Sequence, residues 1–342
     1  MQPRIGKTTI GEVAKRAEVS KTTISRYING RYEFMSDETR KRIQDVIEEM
    51  AYRPNNLARG LKSNKSGLIG AIIADITSPF SSILLKGIGD LCQEKGYQII
   101  IANTDNDPVK EREYIQSLVD NRVEGLIVNT SGQTNDYLVA LGNQGMPIVL
   151  ADRAMPELTF DTIMSNNYAM TVRTIQHLFQ AGFAKVAFFT EEIGQISSRS
   201  IRRDAFLDAC RQFKGIEAQN LIYVIDSSKP QTVLESLAHF KEKNPDETKA
   251  IFAVNGVTLL GVLQGLSQLG LAIPKDMGVC GYDDWGWAAL IPPGITVISQ
   301  PSYQVGVESA KLLIARIKAK RKAKPKSIEL PAELIIRGST VL

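Results

Sequence analysis

The chain has 342 residues, of which 43% are hydrophobic, and a formal net charge of +4. It is too long for one typical domain, and no apolar run approaches the ~18 residues that a membrane helix needs. The amino terminus shows no signal-peptide pattern, and Cys92, Cys210 and Cys280 are too far apart to indicate paired disulfides or a metal site. We therefore expect a cytoplasmic protein that uses no metal and no cofactor.

Two short amphipathic helices are predicted near the amino terminus. Thr9 followed by Glu12 forms a capping-box pattern, which begins a helix, and Ser20 is a typical N-cap for a second one. Ile24 and Ile28 lie four residues apart and give the second helix an apolar face. The short turn between the helices is typical of a helix-turn-helix, whose second helix enters the DNA major groove. The alternative is an ordinary helical hairpin with a solvated polar face.

Positive charge is concentrated in the same part of the chain. Residues 1–65 carry 14 Lys and Arg against 8 Asp and Glu, whereas the remainder carries 27 against 29. A third helix is predicted after Ser36, and residues 55–62 form a short polar segment that on composition alone is also compatible with a linker. The second helix turns these side chains away from its apolar face: Lys21, Thr22, Thr23, Ser25 and Arg26. This pattern favours phosphate and base contacts.

Three stretches of the first 66 residues resemble the lac-repressor/purine-repressor family: TIGEVAKRAEVSKTTISRYING, SDETRKRIQDVIEEMAYRPN and, at residues 58–61, ARGL. The resemblance implies a repressor that binds palindromic operator DNA as a homodimer. It also implies a headpiece over residues 1–54, a hinge helix and linker over 55–66, and an effector-binding core over 67–342. Glu18 stands where the family often has glycine, so a left-handed backbone there would be strained.

The resemblance further implies which residues contact DNA. The base-reading positions of the family fall on Lys21, Thr22 and Arg26, and the hinge leucine that wedges into the minor groove falls on Leu61. The full set of implied DNA contacts is Thr9, Ser20, Lys21, Thr22, Thr23, Ser25, Arg26, Asn29, Tyr52, Asn55, Ala58, Arg59 and Leu61.

From Leu68 onward, short apolar runs alternate with amphipathic segments. The runs cover residues 68–75, 97–104, 125–130, 147–152, 161–166, 185–191, 221–226, 250–255, 277–283 and 296–301, and one last strand is expected over 327–339. Apolar strands separated by helices indicate parallel sheets covered on both faces. We therefore expect an all-α headpiece and an α/β core of two doubly wound subdomains, with crossovers near 152–161 and 297–301. The family resemblance implies the same periplasmic-binding-protein-like core.

Ligands of open α/β sheets bind at the carboxyl ends of the strands. Polar residues follow eight of the predicted strands: Asp75, Asn103, Asn129, Asp152, Asn166, Glu191, Asn255 and Asp283. By resemblance, Asp283 accepts hydrogen bonds from the ligand, Arg202 binds its polar or acidic group, and Phe80 closes over it. The predicted ligand contacts are Asp75, Phe80, Asn129, Asp152, Arg153, Ser198, Arg202, Asn255 and Asp283. Gly256 departs from the aspartate usual in the family. The alternative is that each is only a strand-end turn residue.

The residue types at this predicted site favour a sugar acid. Carboxylates suit hydroxyl groups, and arginine pairs through two N–H groups with a carboxylate. The chain offers more arginines than a neutral sugar needs: Arg153, Arg199, Arg202 and Arg203. Loops such as NTDNDPVKEREY and FTEEIGQISSRS resemble those of repressors that respond to 2-keto-3-deoxygluconate. Alternatively, Arg153 and Arg203 are solvated or paired with neighbouring acidic residues.

Other functions are considered beside this one. The effector is otherwise a neutral sugar or a purine corepressor, or the chain is a sugar-binding protein that does not bind DNA. The sequence contains no nucleophile elbow and no HExxH pattern, and His177 and His239 both fall in helical stretches. We therefore expect a regulator and not an enzyme; whether the effector is an inducer or a corepressor stays open at this point.

Overall fold

The computed structural model describes residues 8–52, 66–319 and 323–342. It divides into two compact units, Met1–Ser66 and Gly67–Leu342, which are treated separately below. The predicted hinge contacts Asn55, Ala58, Arg59 and Leu61 lie outside the described residues. Among the described residues, no helix combines the length and the apolar character that crossing a membrane requires.

The first unit contains three helices, α1 (Ile10–Arg16), α2 (Lys21–Ile28) and α3 (Asp37–Glu49). The predicted capping box is confirmed, because Thr9 N donates to Glu12 Oε2 over 2.6 Å and Glu12 N donates to Thr9 Oγ1 over 3.3 Å. Ser20 and Ser36 cap α2 and α3 in the predicted positions. One small apolar core holds the three helices together, formed by Val13, Ala14, Ala17, Ile24, Ile43 and Val46.

Glu18, in the turn between α1 and α2, has a φ of 54°. A left-handed backbone costs a residue with a Cβ about 1–2 kcal/mol, whereas glycine adopts it freely but loses more entropy on folding. We therefore expect Glu18→Gly to stabilise the headpiece by about 0.5–1 kcal/mol. Hydrogen exchange of the α2 amides measures this change. The control Arg42→Gly, at an exposed position in the interior of α3, should instead cost about 1 kcal/mol. Equal destabilisation by both substitutions would contradict the strain at Glu18.

The second unit contains twelve strands and eight further helices among the described residues. The strands are β1 (Leu68–Ile73), β2 (Gln98–Asn103), β3 (Leu126–Val128), β4 (Ile148–Ala151), β5 (Asp161–Ser165), β6 (Lys185–Thr190), β7 (Ile222–Val224), β8 (Lys249–Ala253), β9 (Gly278–Tyr282), β10 (Thr296–Ser299), β11 (Ser327–Leu330) and β12 (Glu333–Ile335). The helices are α4 (Pro79–Glu94), α5 (Pro108–Asp120), α6 (Asn135–Asn143), α7 (Asn167–Gln180), α8 (Ser197–Lys214), α9 (Pro230–Lys243), α10 (Gly256–Gln268) and α11 (Ser302–Lys318). All ten predicted apolar runs contain a strand.

The strands form two six-stranded sheets, each the centre of one subdomain. The first has the order β11–β5–β4–β3–β1–β2 and is parallel throughout. The second has the order β12–β10–β9–β8–β6–β7 and is parallel except for β12, which runs antiparallel to β10. Apolar clusters cover the faces of both sheets, and the central strands β3, β4, β5, β8 and β9 are therefore buried along their whole length.

The chain crosses between the sheets three times, after Ser165, at Gln300–Pro301 and at Pro331–Ala332. The single strand expected over 327–339 is in fact two strands in different sheets. Pro331 separates them, because proline cannot donate to a sheet ladder. The three crossings run side by side and connect the two subdomains.

The prediction of a first crossover at residues 152–161 is wrong. This segment joins β4 to β5, and the two strands pair in parallel within the first sheet. Asp161 at the start of β5 is held there by Arg316 of α11, whose Nε lies 2.5 Å from Oδ2 and whose Nη2 lies 2.7 Å from Oδ1. The chain therefore leaves the first subdomain only after β5.

Candidate functional site

Helix α2 presents three side chains that no hydrogen bond or ion pair holds within the described part of the chain. Lys21, Thr22 and Arg26 are exposed, and the guanidinium of Arg26 lies 5.1 Å from the ring centre of Phe34. Phe34 is itself 68% exposed. This part of α2 is therefore free to meet the edges of bases in a major groove.

The other predicted DNA contacts of the headpiece have local roles. The hydroxyls of Ser20 and Thr23 bond each other over 2.9 Å, and Thr9 belongs to the capping box. Asn29 Nδ2 donates to Ser25 O over 2.7 Å, which fixes the end of α2. Burial raises the pKa of Tyr52, which packs against the headpiece core. Ser20, Thr23 and Asn29 thus fix the two ends of α2.

In the second unit, all nine predicted ligand contacts line one narrow cavity of about 80 Å³ between the two sheets. The cavity is also lined by residues that sequence reasoning did not assign to the ligand: Ser78, Ser81, Asn106, Glu191, Arg199, Val257 and Gln300. A larger depression of about 600 Å³ lies at the amino ends of β6 and β8. It is a shallow surface feature and none of the strand carboxyl ends reaches it, so the site is the cavity between the sheets.

Two strand-end residues expected near the ligand do not line the cavity. Asn103 Oδ1 accepts from Ile76 N over 2.9 Å, which fixes the loop after β1. Asn166 Oδ1 accepts from Ala332 N over 2.9 Å and so joins two of the crossing segments. Both side chains therefore stabilise backbone segments next to the cleft.

Asp152 and Asp283 occupy equivalent places in the two subdomains. Asp152 follows β4 with a φ of 66°, and Asp283 follows β9 with a φ of 77°. The N–H of Asp152 donates to Ile163 O over 2.7 Å, and that of Asp283 donates to Ile298 O over 2.8 Å. A positive φ in a residue with a Cβ is costly and is concentrated at functional sites. Both turns aim a carboxylate into the cavity.

The two carboxylates differ in how far they are satisfied. Asp283 Oδ1 accepts from Gln300 Nε2 over 2.6 Å, and Oδ2 accepts from Gly256 N over 3.0 Å. Asp152 Oδ1 is buried and accepts no hydrogen bond from the described residues. Burial raises the pKa of both carboxyls, against the opposing attraction of Arg202. A hydroxyl donor is what Asp152 lacks.

Arg202 is buried in α8 and held by uncharged groups. Nε and Nη2 donate to Asn167 Oδ1 over 2.9 and 2.7 Å, Nη1 donates to Val254 O over 2.7 Å, and Nη2 donates to Gln300 Oε1 over 3.0 Å. One face of the guanidinium lies 3.5 Å from the ring centre of Tyr282. Four of its five N–H groups are therefore in use.

The remaining two arginines approach the cavity from opposite subdomains. Arg153 Nη1 donates to Asn106 Oδ1 over 2.8 Å and to Thr130 O over 3.0 Å, while its Nε is buried with no described partner. Arg199 donates to Glu191 Oε2 over 2.5 Å. Burial lowers the pKa of both, that of Arg153 to about 10, so Arg153 stays charged at neutral pH. Arg203, in contrast, pairs at the surface with Asp204 over 2.6 Å.

Gly256, where the family usually has an aspartate, has a simple structural explanation. A Cβ built at this position would lie 2.4 Å from Cη2 of Trp285, so the indole ring occupies the place of a side chain. The N–H of Gly256 meanwhile donates to Asp283. This edge of the cleft is therefore built from an aromatic ring and a backbone donor instead of a second carboxylate.

The two histidines do not approach this cavity. His177 Nε2 bonds Thr340 Oγ1 over 2.8 Å, and His239 Nδ1 lies 3.3 Å from the hydroxyl of Tyr223. Within residues 8–52, 66–319 and 323–342, no group of His, Cys, Asp and Glu side chains has the arrangement of a metal site.

Each of the two units matches a known protein family. Residues 9–55 match the bacterial regulatory proteins of the lacI family, and residues 66–338 match the periplasmic binding proteins and sugar binding domain of the LacI family. The chain is 41% identical to the HTH-type transcriptional regulator KdgR of Bacillus subtilis, with 98% of each chain covered. It is 36% identical to the HTH-type transcriptional regulator PtxS of Pseudomonas putida, over 98% of this chain and 96% of that protein.

Solved structures share the fold. A lac repressor dimer bound to operator and the anti-inducer ONPF superposes with a TM-score of 0.86 at 21% identity, covering 98% of this chain and all of that one. A LacI family regulator from Enterococcus faecium with bound ribose gives 0.70 at 27% identity, over 80% of this chain and 98% of that one. Members of this family bind operator DNA and small-molecule effectors. The chain belongs to the LacI family and is a DNA-binding transcriptional regulator, not an enzyme.

Proposed function

We propose that the chain represses a carbohydrate-catabolism operon from the cytoplasm and that a sugar acid releases it from DNA. The leading candidate for this inducer is 2-keto-3-deoxygluconate. The observation that carries the proposal is the pair Arg153 and Arg202, two guanidinium groups in the cleft whose direct hydrogen-bond partners are all uncharged within the described residues. Asp152, Asp283 and Glu111 lie near enough to attract these cations, but none of them hydrogen-bonds either guanidinium among the described residues. An anionic ligand would add a direct, charge-assisted hydrogen-bond partner.

The hydroxyl groups of such a ligand also have matching acceptors. Asp152 Oδ1 lacks a donor, and Asp75 and Asn129 face the same cavity. A neutral sugar would satisfy these acceptors but would give Arg153 and Arg202 no directly hydrogen-bonded anion. A purine corepressor offers few hydroxyl donors. The sugar acid therefore satisfies more of the cleft than either alternative.

The test is operator binding in the presence of candidate effectors. An operator selected from random DNA sequences is titrated with the protein while fluorescence anisotropy is recorded. We expect 2-keto-3-deoxygluconate to weaken binding, and D-glucose and hypoxanthine to have no effect. Turnover of the acid is followed in parallel. Release by a neutral sugar alone would contradict the sugar-acid proposal, and failure to bind any DNA would contradict repression.

The regulator is proposed to act as a symmetric homodimer on a palindromic operator. A single three-helix headpiece reads about one half-site, whereas a twofold dimer reads two half-sites about one helical turn apart. We expect sedimentation to give twice the 37.7 kDa chain mass at working concentration. A monomer mass together with full operator affinity would contradict the dimer.

Substitutions on α2 separate base reading from phosphate contact. If Arg26 or Lys21 reads a base, its change to alanine should cost about 1–3 kcal/mol at particular base pairs and relax the preference there. A phosphate contact would weaken all sequences alike and reduce the salt dependence. The control is Lys41→Ala, an exposed cation on α3. A binding-site scan in which Arg26 and Lys21 variants behave like the control would exclude both roles.

A further inference from the structure

The two arginines with uncharged partners are not equally available to a ligand. Arg202 has four of its five N–H groups in use, and the ring of Tyr282 covers one face of its guanidinium. Only one N–H, on Nη1, remains. A carboxylate bound through two parallel hydrogen bonds needs two neighbouring N–H groups. Arg202 could provide them only by breaking bonds to Asn167 or Gln300.

Arg153 has two neighbouring N–H groups, on Nε and Nη2, that can bind a carboxylate. Both hydrogens of its Nη1 are used by Asn106 and Thr130, but neither Nε nor Nη2 has a hydrogen-bond partner in the part of the chain that the structure describes. Nε and Nη2 lie on one side of the planar guanidinium and together match the two oxygens of a carboxylate. The side chain is fixed in this orientation by the loop at Thr130.

That loop is itself held by a buried acid. Glu111 of α5 is fully buried and accepts from Thr130 Oγ1 over 2.9 Å, from Ser131 N over 2.6 Å, and from the hydroxyl of Thr134. These bonds set the position of the Thr130 carbonyl, which accepts from Arg153. Glu111 is thus a positioning residue for Arg153, and its negative charge lies close enough to stabilise the guanidinium.

The second subdomain brings a positive end to the same place. Ala154 N donates to Ser197 Oγ over 2.7 Å, so the residue after Arg153 touches the first turn of α8 across the cleft. That helix has no side-chain cap, and its first turn contains Ser198 and Arg199. Arg153 and Arg199 are near enough to repel each other. An anion between them would remove this repulsion and would meet the positive end of the helix dipole.

We propose that the acid group of the effector binds to Nε and Nη2 of Arg153, opposite the first turn of α8, and thereby bridges the two subdomains. A hydroxyl close to that acid group donates to Asp152 Oδ1, the buried acceptor on the neighbouring residue. This assignment rests on the proposed function. An aldonate, or the ring form of a 2-keto sugar acid, carries such a hydroxyl on the carbon beside the carboxylate. An open-chain 2-keto group would offer only an acceptor there.

Calorimetry on the full-length protein tests the assignment, with 2-keto-3-deoxygluconate, D-gluconate, 2-deoxy-D-gluconate and the neutral D-glucitol as probes. We expect Arg153→Gln to bind the acids at least 100-fold more weakly. Arg153→Lys, which keeps the charge but loses the planar fork, should lose about 10-fold. The matched control is Arg203→Gln, which should bind like the parent protein because Arg203 lies outside the cavity and pairs with Asp204. Thermal melts confirm that each variant is folded.

The outcomes separate this inference from the function on which it rests. Acid binding by Arg153→Gln within threefold of the parent, with loss in Arg202→Gln, would overturn the role of Arg153 and leave the sugar-acid effector standing. Equal binding of D-gluconate and 2-deoxy-D-gluconate would overturn the hydroxyl contact with Asp152. If the parent binds D-glucitol as tightly as D-gluconate, the proposed acid effector is itself wrong.

Discussion

Replacing Ile24 with alanine should abolish operator binding while effector binding stays intact. Ile24 is fully buried in the headpiece core, which among the described residues contains five other buried side chains. Truncating a buried isoleucine costs about 2–5 kcal/mol. A domain as small as the headpiece has little stability to lose. We therefore expect most headpieces to be unfolded in this variant. The second unit, Gly67–Leu342, should keep its melting temperature because it is a separate compact unit.

The measurement combines operator anisotropy, calorimetry with the acid, and hydrogen exchange of the headpiece amides. Ile28→Ala is the matched control, because Ile28 lies one turn later on α2 and is only partly buried. It should cost about 1 kcal/mol and keep most of the DNA affinity. Full operator affinity in Ile24→Ala would contradict the assignment of this core, and loss of effector binding would contradict the independence of the two units.

Gly132→Ala should prevent the cleft from closing as it does in this structure. Gly132 follows β3 in the first subdomain, and a Cβ added to it would lie 2.4 Å from the carbonyl oxygen of Gln195 in the second. Its φ of 84° adds backbone strain for any residue with a Cβ. Together, the strain and the overlap should disfavour this arrangement by about 2–5 kcal/mol. If the effector binds between closed subdomains, its affinity falls by at least tenfold and the variant no longer responds to it.

The control for backbone strain is Gly145→Ala, in the loop after α6. Gly145 has a φ of 100°, but a Cβ there meets no atom within 4 Å. This variant should lose some stability and keep the parent's effector affinity. Calorimetry with 2-keto-3-deoxygluconate compares the two. Equal affinity in both variants would show that the contact between Gly132 and Gln195 plays no part in effector binding.

Local patterns in the sequence were sufficient to predict most of the fold. The capping box at Thr9 and the N-caps at Ser20 and Ser36 are short-range hydrogen bonds, so they follow from residue spacing alone. The ten apolar runs were predicted correctly as strands because residue type and run length are also local features of the sequence. The crossovers depend on contacts between distant residues. Asp161 is held in the first sheet by its ion pair with Arg316. The two residues are 155 positions apart, so the residues around Asp161 do not indicate this partner.

The division of the last predicted strand into two strands was easier to predict from the sequence. Pro331 lies in the middle of the stretch, and proline inside a predicted strand argues against an unbroken one. Pro331 therefore indicates that the strand is interrupted, and the third crossing between the sheets lies at this interruption. The antiparallel pairing of β12 with β10 follows from that crossing.

The cleft was predicted to the extent that strand ends define it. All nine residues named from strand ends and family resemblance line the cavity. Gln300 was missed because it lies on a crossing segment, although it bonds both Arg202 and Asp283. Residue type also could not distinguish the arginines. Only the structure shows that Arg202 is held by uncharged acceptors, while Nε and Nη2 of Arg153 have no hydrogen-bond partner among the described residues.

The central claim is that sugar-acid binding and operator binding are coupled in one molecule. Coupling is reciprocal, so the acid must weaken operator binding by the same factor by which the operator weakens acid binding. The direct measurement is the affinity for 2-keto-3-deoxygluconate of the free protein and of the protein saturated with operator, at one salt concentration. We predict that the operator weakens acid binding by roughly 5- to 150-fold, the usual range for such coupling. Identical affinities in the two states would contradict the account.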